Sequence, residues 1–257
     1  IYKFPDPQKA KERDEWLRLS PDGKFIAYQS KQDGNDDIYV MPARGGEPVR
    51  IMDDPAIDRW PVWSYDGQWL AFCSARTGQF ETWVIRITPD GKPGSQPIQV
   101  TRGGGGEGIW TLDGKIAYGT RKSIEHVFVA NADGSQETKL TKLNSGNMLP
   151  RWSPDGKTIA FIADYGAEAN RTAVWTVPSN GGDEKFLAVG TSPAWSPDGK
   201  KIAFCNERAR MFTPSVKATI SIIPADGGEA RELMNYDGSV HFLDWSPDGR
   251  QIAFSYG

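Results

Sequence analysis

Only two histidines and two cysteines occur among the 257 residues, and these scarcities exclude much chemistry. His126 and His241 are too few for an imidazole-rich metal site. Cys73 and Cys205 cannot form a disulfide framework. No apolar run approaches the ~18–20 residues that a membrane-spanning helix needs. The start, Ile1-Tyr2-Lys3-Phe4-Pro5, lacks the basic-then-apolar layout of a signal peptide. No segment shows sustained helical periodicity. A formal net charge of −3 supplies no basic excess, which argues against nucleic acid as a partner. No Gly-x-Ser-x-Gly nucleophile turn is found.

What is abundant points to turns and strands: 28 Gly, 18 Pro and 10 Trp. Gly and Pro punctuate turns, and Trp is favoured in strands. The decisive feature is an internal repeat. Ser-Pro-Asp-Gly occurs at 20–23, 153–156, 196–199 and 246–249, with Ser64-Tyr65-Asp66-Gly67 and Thr111-Leu112-Asp113-Gly114 as degenerate copies. Successive copies start 42 to 50 residues apart, matching the ~40–50 residues of a four-stranded propeller blade. In each copy Ser, Pro and Gly suit positions one, two and four of a type I turn. The turn joins an inner strand ending in Trp to a continuously apolar second strand such as Ile202-Ala203-Phe204-Cys205. Continuous apolarity fits a sheet covered on both faces.

These spacings predict an all-β, six-bladed β-propeller of four-stranded antiparallel blades, forming a single domain over 1–257. The blades fall at 14–52, 58–101, 106–141, 147–188 and 191–234. The sixth combines 238–257 with 1–13, because Ile1–Pro5 lines up with the third strand Ile38–Pro42 and Ala10–Arg13 takes the place of a fourth. Two C-terminal and two N-terminal strands would close the ring and remove its open edges.

The pattern Pro-x-Trp-Ser-Pro-Asp-Gly-Lys-x-Ile-Ala-Phe, as in Pro193–Phe204, resembles the propeller repeat of the TolB family of the bacterial Tol–Pal system. It is also similar to the propellers of prolyl-oligopeptidase relatives. The resemblance covers essentially the whole chain. It implies a non-enzymatic protein- or peptide-binding propeller in the periplasm or secreted. The TolB family's N-terminal α/β domain is not seen, which suggests a stand-alone propeller or an excised domain. The alternative is a carbohydrate-active enzyme or the regulatory propeller of a larger hydrolase.

Candidate chemistry is sparse. No catalytic residue, metal ligand or cofactor is assigned. Asp33-Gly34-Asn35-Asp36-Asp37 lacks the ligand spacing of a calcium loop and reads as solvated. Gly103–Gly108 lacks the Lys-Ser/Thr of a phosphate cradle and reads as a flexible connector. His241 and Asp244, three apart on a strand, should point to opposite faces. One constellation remains, on the face opposite the repeat turns. There Lys31, Arg76, Arg121, Lys122 and Arg208 follow second strands, with Arg59 and Trp60 nearer the axis and Glu107, Asp164 and Glu207 alongside. His241 completes the candidates on the inner strands. Arg and Trp are enriched at binding hot spots, so a protein or acidic peptide at the funnel mouth of a monomer is the expected partner. The Asn206–Ala218 loop, with Met211 and Phe212, is a second candidate.

Overall fold

The computed structural model describes residues 15–31, 34–119, 126–143, 146, 148–165, 172–207, 218–238 and 240–256. All regular structure among them is β. The first sheet contains β1 (Glu15–Leu19), β2 (Phe25–Ser30), β3 (Asp37–Pro42) and β4 (Val49–Arg50). The second contains β5 (Asp58–Trp63), β6 (Trp69–Ser74), β7 (Glu81–Arg86) and β8 (Ile98–Gln99). The third contains β9 (Gly108–Trp110), β10 (Lys115–Gly119), β11 (Val127–Asn131) and β12 (Thr138–Lys139). The fourth contains β13 (Met148–Trp152), β14 (Thr158–Asp164), β15 (Thr172–Pro178) and β16 (Lys185–Val189). The fifth contains β17 (Thr191–Trp195), β18 (Lys201–Glu207), β19 (Ala218–Pro224) and β20 (Arg231–Tyr236). The sixth, β21 (Val240–Trp245) with β22 (Ile252–Tyr256), has two described strands. In every sheet neighbours in sequence are neighbours in space. The chain divides into two compact units, residues 1–122 with 129–138 and residues 123–128 with 139–257. The proposed closing strands within 1–13 lie outside the described residues.

The repeat turn has the expected geometry with an addition that composition does not reveal. Gly23 N donates to Ser20 O at 2.9 Å, closing a four-residue turn. Ser20 Oγ donates to Asp22 Oδ1 at 2.8 Å and accepts from Phe25 N at 2.9 Å. The Asp carboxylate also takes Lys24 N at 3.1 Å. The same Ser–Asp pairing recurs at 64/66, 153/155, 196/198 and 246/248, and Thr111 with Asp113 substitutes for it. The closing Gly stands at φ +68 to +80 in all six turns, a region that side chains disfavour.

Trp at the end of the inner strand links consecutive sheets. Trp63 Nε1 donates to Arg18 O (3.0 Å) and Trp110 Nε1 to Val62 O (3.1 Å) in the first unit. In the second unit Trp195 reaches Arg151 O (3.0 Å) and Trp245 reaches Ala194 O (3.1 Å). Each acceptor lies two residues before its own repeat turn. Around these bonds the facing sheets bury apolar clusters. Ala27, Val40, Leu70 and Phe72 belong to one in the first unit; Ile162, Val174, Ile202 and Phe204 belong to one in the second.

Inner strands carry a feature absent from the sequence reading. In β1, β5, β13, β17 and β21 the register slips by one residue at the same place, as between Arg59↔Cys73 and Val62↔Ala71. The residue at each bulge is left-handed: Trp16, Trp60, Leu149, Ser192 and Phe242, at φ 50 to 60. A bulge shifts the alternation of faces. His241 and Asp244 pair opposite Ser255 and Ala253, which are two apart, so the alternation expected to separate those positions does not run through β21. The fifth-sheet loop is shorter than expected, because β18 extends to Glu207 and pairs it with Ala218.

Trp63→Phe and Trp195→Phe each remove one indole donor and strand a carbonyl, at a cost of about 1 kcal/mol. Each variant should melt ~2–4 °C early in a thermal scan, and an unchanged melting temperature would show that the bond adds nothing. Cys73 and Cys205 are fully buried thiols outside any disulfide, so thiol titration should be slow on the native protein and reach two per chain on denaturation without reductant.

Candidate functional site

The first unit brings together charged side chains that the sequence scatters from Lys31 to Arg76. Asp36 and Asp37, at the entry to β3, are buried, as is Asp58 at the start of β5. A buried carboxylate needs a cation or donors, and each has one. Arg59 donates to Asp36 Oδ2 through Nε at 2.9 Å, while Lys31 Nζ stands 3.8 Å from Oδ1. Arg50 Nη2 lies 2.7 Å from Asp37 Oδ2. Arg76 donates through Nη2 to Asp58 Oδ1 at 3.2 Å, lies 3.0 Å from Asp54 Oδ2, and donates through Nε to Ser74 Oγ at 2.9 Å. Its guanidinium also covers the Trp83 ring at 4.8 Å. Burial nevertheless dominates at Asp58 and pushes its carboxyl up to about 6, against the opposing pull of Ser74 and Arg76.

Beside this network runs an aromatic step. Trp16 meets Trp60 edge-on with centroids 6.1 Å apart, and Trp60 meets Phe80 at 6.4 Å. All three rings are half-buried. Cations overlie both ends: Arg18 Cζ is 5.7 Å from the Trp16 ring and Arg59 Cζ 5.7 Å from Phe80. Arg18 Nη2 also stands 3.9 Å from Glu107 Oε1. The rings are positioned by the bulges, since Trp16 and Trp60 are the left-handed residues of β1 and β5.

The family model of the TolB beta propeller domain matches residues 16–118 and 105–256. The chain belongs to the TolB β-propeller family. An uncharacterised protein of Agrobacterium fabrum is 28% identical over 170 residues, covering 60% of this chain and 56% of its own length. The chain therefore spans little more than half of that relative. A solved TolB-like protein of Agrobacterium tumefaciens superposes with a TM-score of 0.72 at 23% identity, covering 96% of this chain and 91% of the other. An oligogalacturonate lyase in complex with manganese has a TM-score of 0.70 at 16% identity, covering 93% and 69%. At such identities these structures show the shared fold alone, and that fold carries both enzymes and other proteins.

In this TolB-type propeller the glycine run is an ordered anion cradle, and its anion is internal. Glu81, buried at the start of β7, accepts Gly103 N at 2.7 Å, Gly104 N at 2.9 Å and Thr101 Oγ1 at 2.5 Å. Gly105 has no room for a side chain, since a Cβ there would fall 2.4 Å from Thr101 Oγ1 and 2.8 Å from Thr82 N. The flexible-connector expectation fails because backbone N–H groups freed of side chains converge on a buried carboxylate.

Of the sequence candidates, Arg59 and Trp60 share the aromatic step, and Glu107 joins it through Arg18. Arg76 sits in the adjoining network with Asp54 and Asp58. Asp164 belongs to the second unit, exposed at the end of β14, where it accepts Gly146 N at 3.4 Å. His241 is placed in β21. Arg121, Lys122, Arg208, Met211 and Phe212 lie outside the described residues. Asp36 and Asp37 are pinned by arginines rather than solvated. No group of three or more His, Cys, Asp or Glu side chains gathers at metal-binding spacing among the described residues. Trp16, Phe80, Asp58 and Glu81 were missed. Trp16 was findable, since it stands four residues before Ser20 as Trp60 does before Ser64.

Asp58 makes a pH prediction. Its folded pKa of about 6 exceeds the ordinary aspartate value of 3.8, so the folded state holds the proton more tightly than the unfolded chain. The stability it contributes is fully present below about pH 4 and is lost as pH rises through about 6, by up to ~3 kcal/mol. Asp58→Asn, fixed in the neutral form, should flatten this decline relative to the parent in denaturant melts from pH 4 to 7. Parallel curves for the two proteins would refute the assignment.

Proposed function

We propose that this chain is a non-enzymatic binding propeller that holds a protein or peptide on the face where connectors and second-to-third-strand loops emerge. The single observation that carries the reading is the half-exposed Trp16–Trp60–Phe80 step with Arg18, Arg59 and Glu107 around it. Tryptophan and arginine in a partly desolvated setting are the residue types that dominate interface energetics. Left-handed backbone at a bulky residue costs roughly 1–2 kcal/mol. The bulge recurs in five inner strands; what singles out the first two sheets is that both place tryptophan at the strained position.

Charge plays a smaller part than a ring of arginines suggests. Arg59 and Arg76 are matched by Asp36, Asp54 and Asp58, so they fix the loops more than they attract an acidic peptide. Partner recognition then rests on apolar and aromatic contact, with Arg121, Lys122, Arg208, Met211, Phe212, Asp164 and His241 as further contributors. Six blades closed by residues 1–13, a monomer, and a periplasmic or secreted location complete the proposal, the last by analogy with the TolB family. The rival, a carbohydrate-active enzyme on the same fold, predicts oligosaccharide turnover or a metal requirement.

The test is a Trp16→Ala, Trp60→Ala double variant, assayed against the protein that the parent captures from its native source. Binding should fall at least ~10-fold, the effect of losing one or two hot-spot residues, with the melting temperature nearly kept. Undiminished affinity would remove the aromatic step from the interface.

A further inference from the structure

The opposite end of the first unit, where the repeat turns lie, contains a cleft that the binding reading does not use. Its origin is an insertion. The links between third and fourth strands span residues 43–48, 132–137, 179–184 and 225–230 in four sheets, six residues each. In the second sheet the link spans 87–97, eleven residues, and it is built to be stiff. Pro89, Pro93 and Pro97 restrict it. Thr88 N donates to Lys92 O at 2.9 Å, Gly91 N to Thr88 O at 2.9 Å, and Gly94 N to Arg86 O at 2.7 Å. The arm leans across to the first sheet and seats its tip on Phe25. A Cβ on Gly91 would fall 2.5 Å from Phe25 Cε1, so only glycine permits that approach.

Between arm and turns lies a cleft of about 300 Å³, at the small end of ligand-binding cavities. Phe25, Trp63 and Ile87 line its apolar part, and Lys24, Asp66 and Arg86 its polar part. Lys24 is engaged by Asp22 at 2.9 Å. Arg86 is exposed and has no ion pair among the described residues. An unmatched guanidinium beside an apolar pocket suits a ligand with a carboxylate on an apolar body, because the planar fork takes a carboxylate through two parallel hydrogen bonds.

We infer that this cleft is a second binding site, taking a small organic acid of about dipeptide size, with its apolar body on Phe25 and Trp63 and its carboxylate on Arg86. N-acetylphenylalanine and N-acetylphenylalanine amide are suitable probes, since they differ only in that charge. Titrated by ligand-observed NMR, the acid should bind the parent at least ~10-fold more tightly than the amide, the ratio expected when a charge-assisted pair is lost. Arg86→Gln should bring the acid down to the affinity of the amide and leave the amide unaffected. Lys92→Gln, a nearby arm cation outside the cleft, should leave both unchanged. Equal binding of acid and amide, no binding of either up to 10-millimolar levels (about the weak limit for so small a ligand), or indifference to Arg86→Gln would overturn the inference. So would an equal loss in Lys92→Gln, which would signal a general field, or a loss confined to the Trp16→Ala, Trp60→Ala protein, which would move the probe to the other face.

Discussion

The indole N–H of Trp63, Trp110, Trp195 and Trp245, each donated from the residue before a repeat turn to a carbonyl of the preceding sheet, is the contact on which this architecture depends. Among the described residues the sheets share no β-ladder with one another; they pack through apolar faces, and apolar contact has no preferred direction. A hydrogen bond does. In each unit the same bond, from the same repeat position to the same acceptor position, fixes how far and at what offset one sheet lies on the next. The turn serves that bond. Its Ser and Asp tie their own backbone so that the inner strand ends where the indole can reach.

From this framework comes the contrast between the two edges of a sheet. At the turn edge polar groups are satisfied within four or five residues, and the carboxylates of Asp22, Asp155, Asp198 and Asp248 are held below their usual range chiefly by side-chain hydrogen bonds, from Lys24 in the first case and from the turn serines in the others. At the connector edge polar groups are satisfied over long sequence distances. Asp36 finds Arg59, and Glu81 finds the amides of Gly103 and Gly104. These pairings order loops that lack regular structure, at the cost of burying charge. Asp58 bears that cost visibly in its raised pKa.

The same long-range pairing changes what the charged residues mean. Arginines that count as binding residues by type are committed to internal carboxylates, whereas rings that count as core by type are left half-exposed by a strained bulge. Which surface this propeller leaves open, as at the aromatic step and the cleft under the second-sheet arm, is therefore set by the fold rather than by residue type.

The strands, their order and the turns were legible in the residues, because each depends on neighbours within one 42-to-50-residue repeat: Ser20 bonds Asp22, and Phe25 follows in the next strand. The glycine run and the acidic stretch at Asp36 were misread for the opposite reason. Nothing local shows that Gly103 and Gly104 face Glu81, more than 20 positions away. The left-handed bulges were hidden as well, since neither tryptophan nor leucine favours that conformation. Sequence alone determined what pairs along the chain, where hydrogen bonds are local. Tertiary structure alone decided which charges are neutralised and which rings stay open, because burial and distance belong to the folded chain.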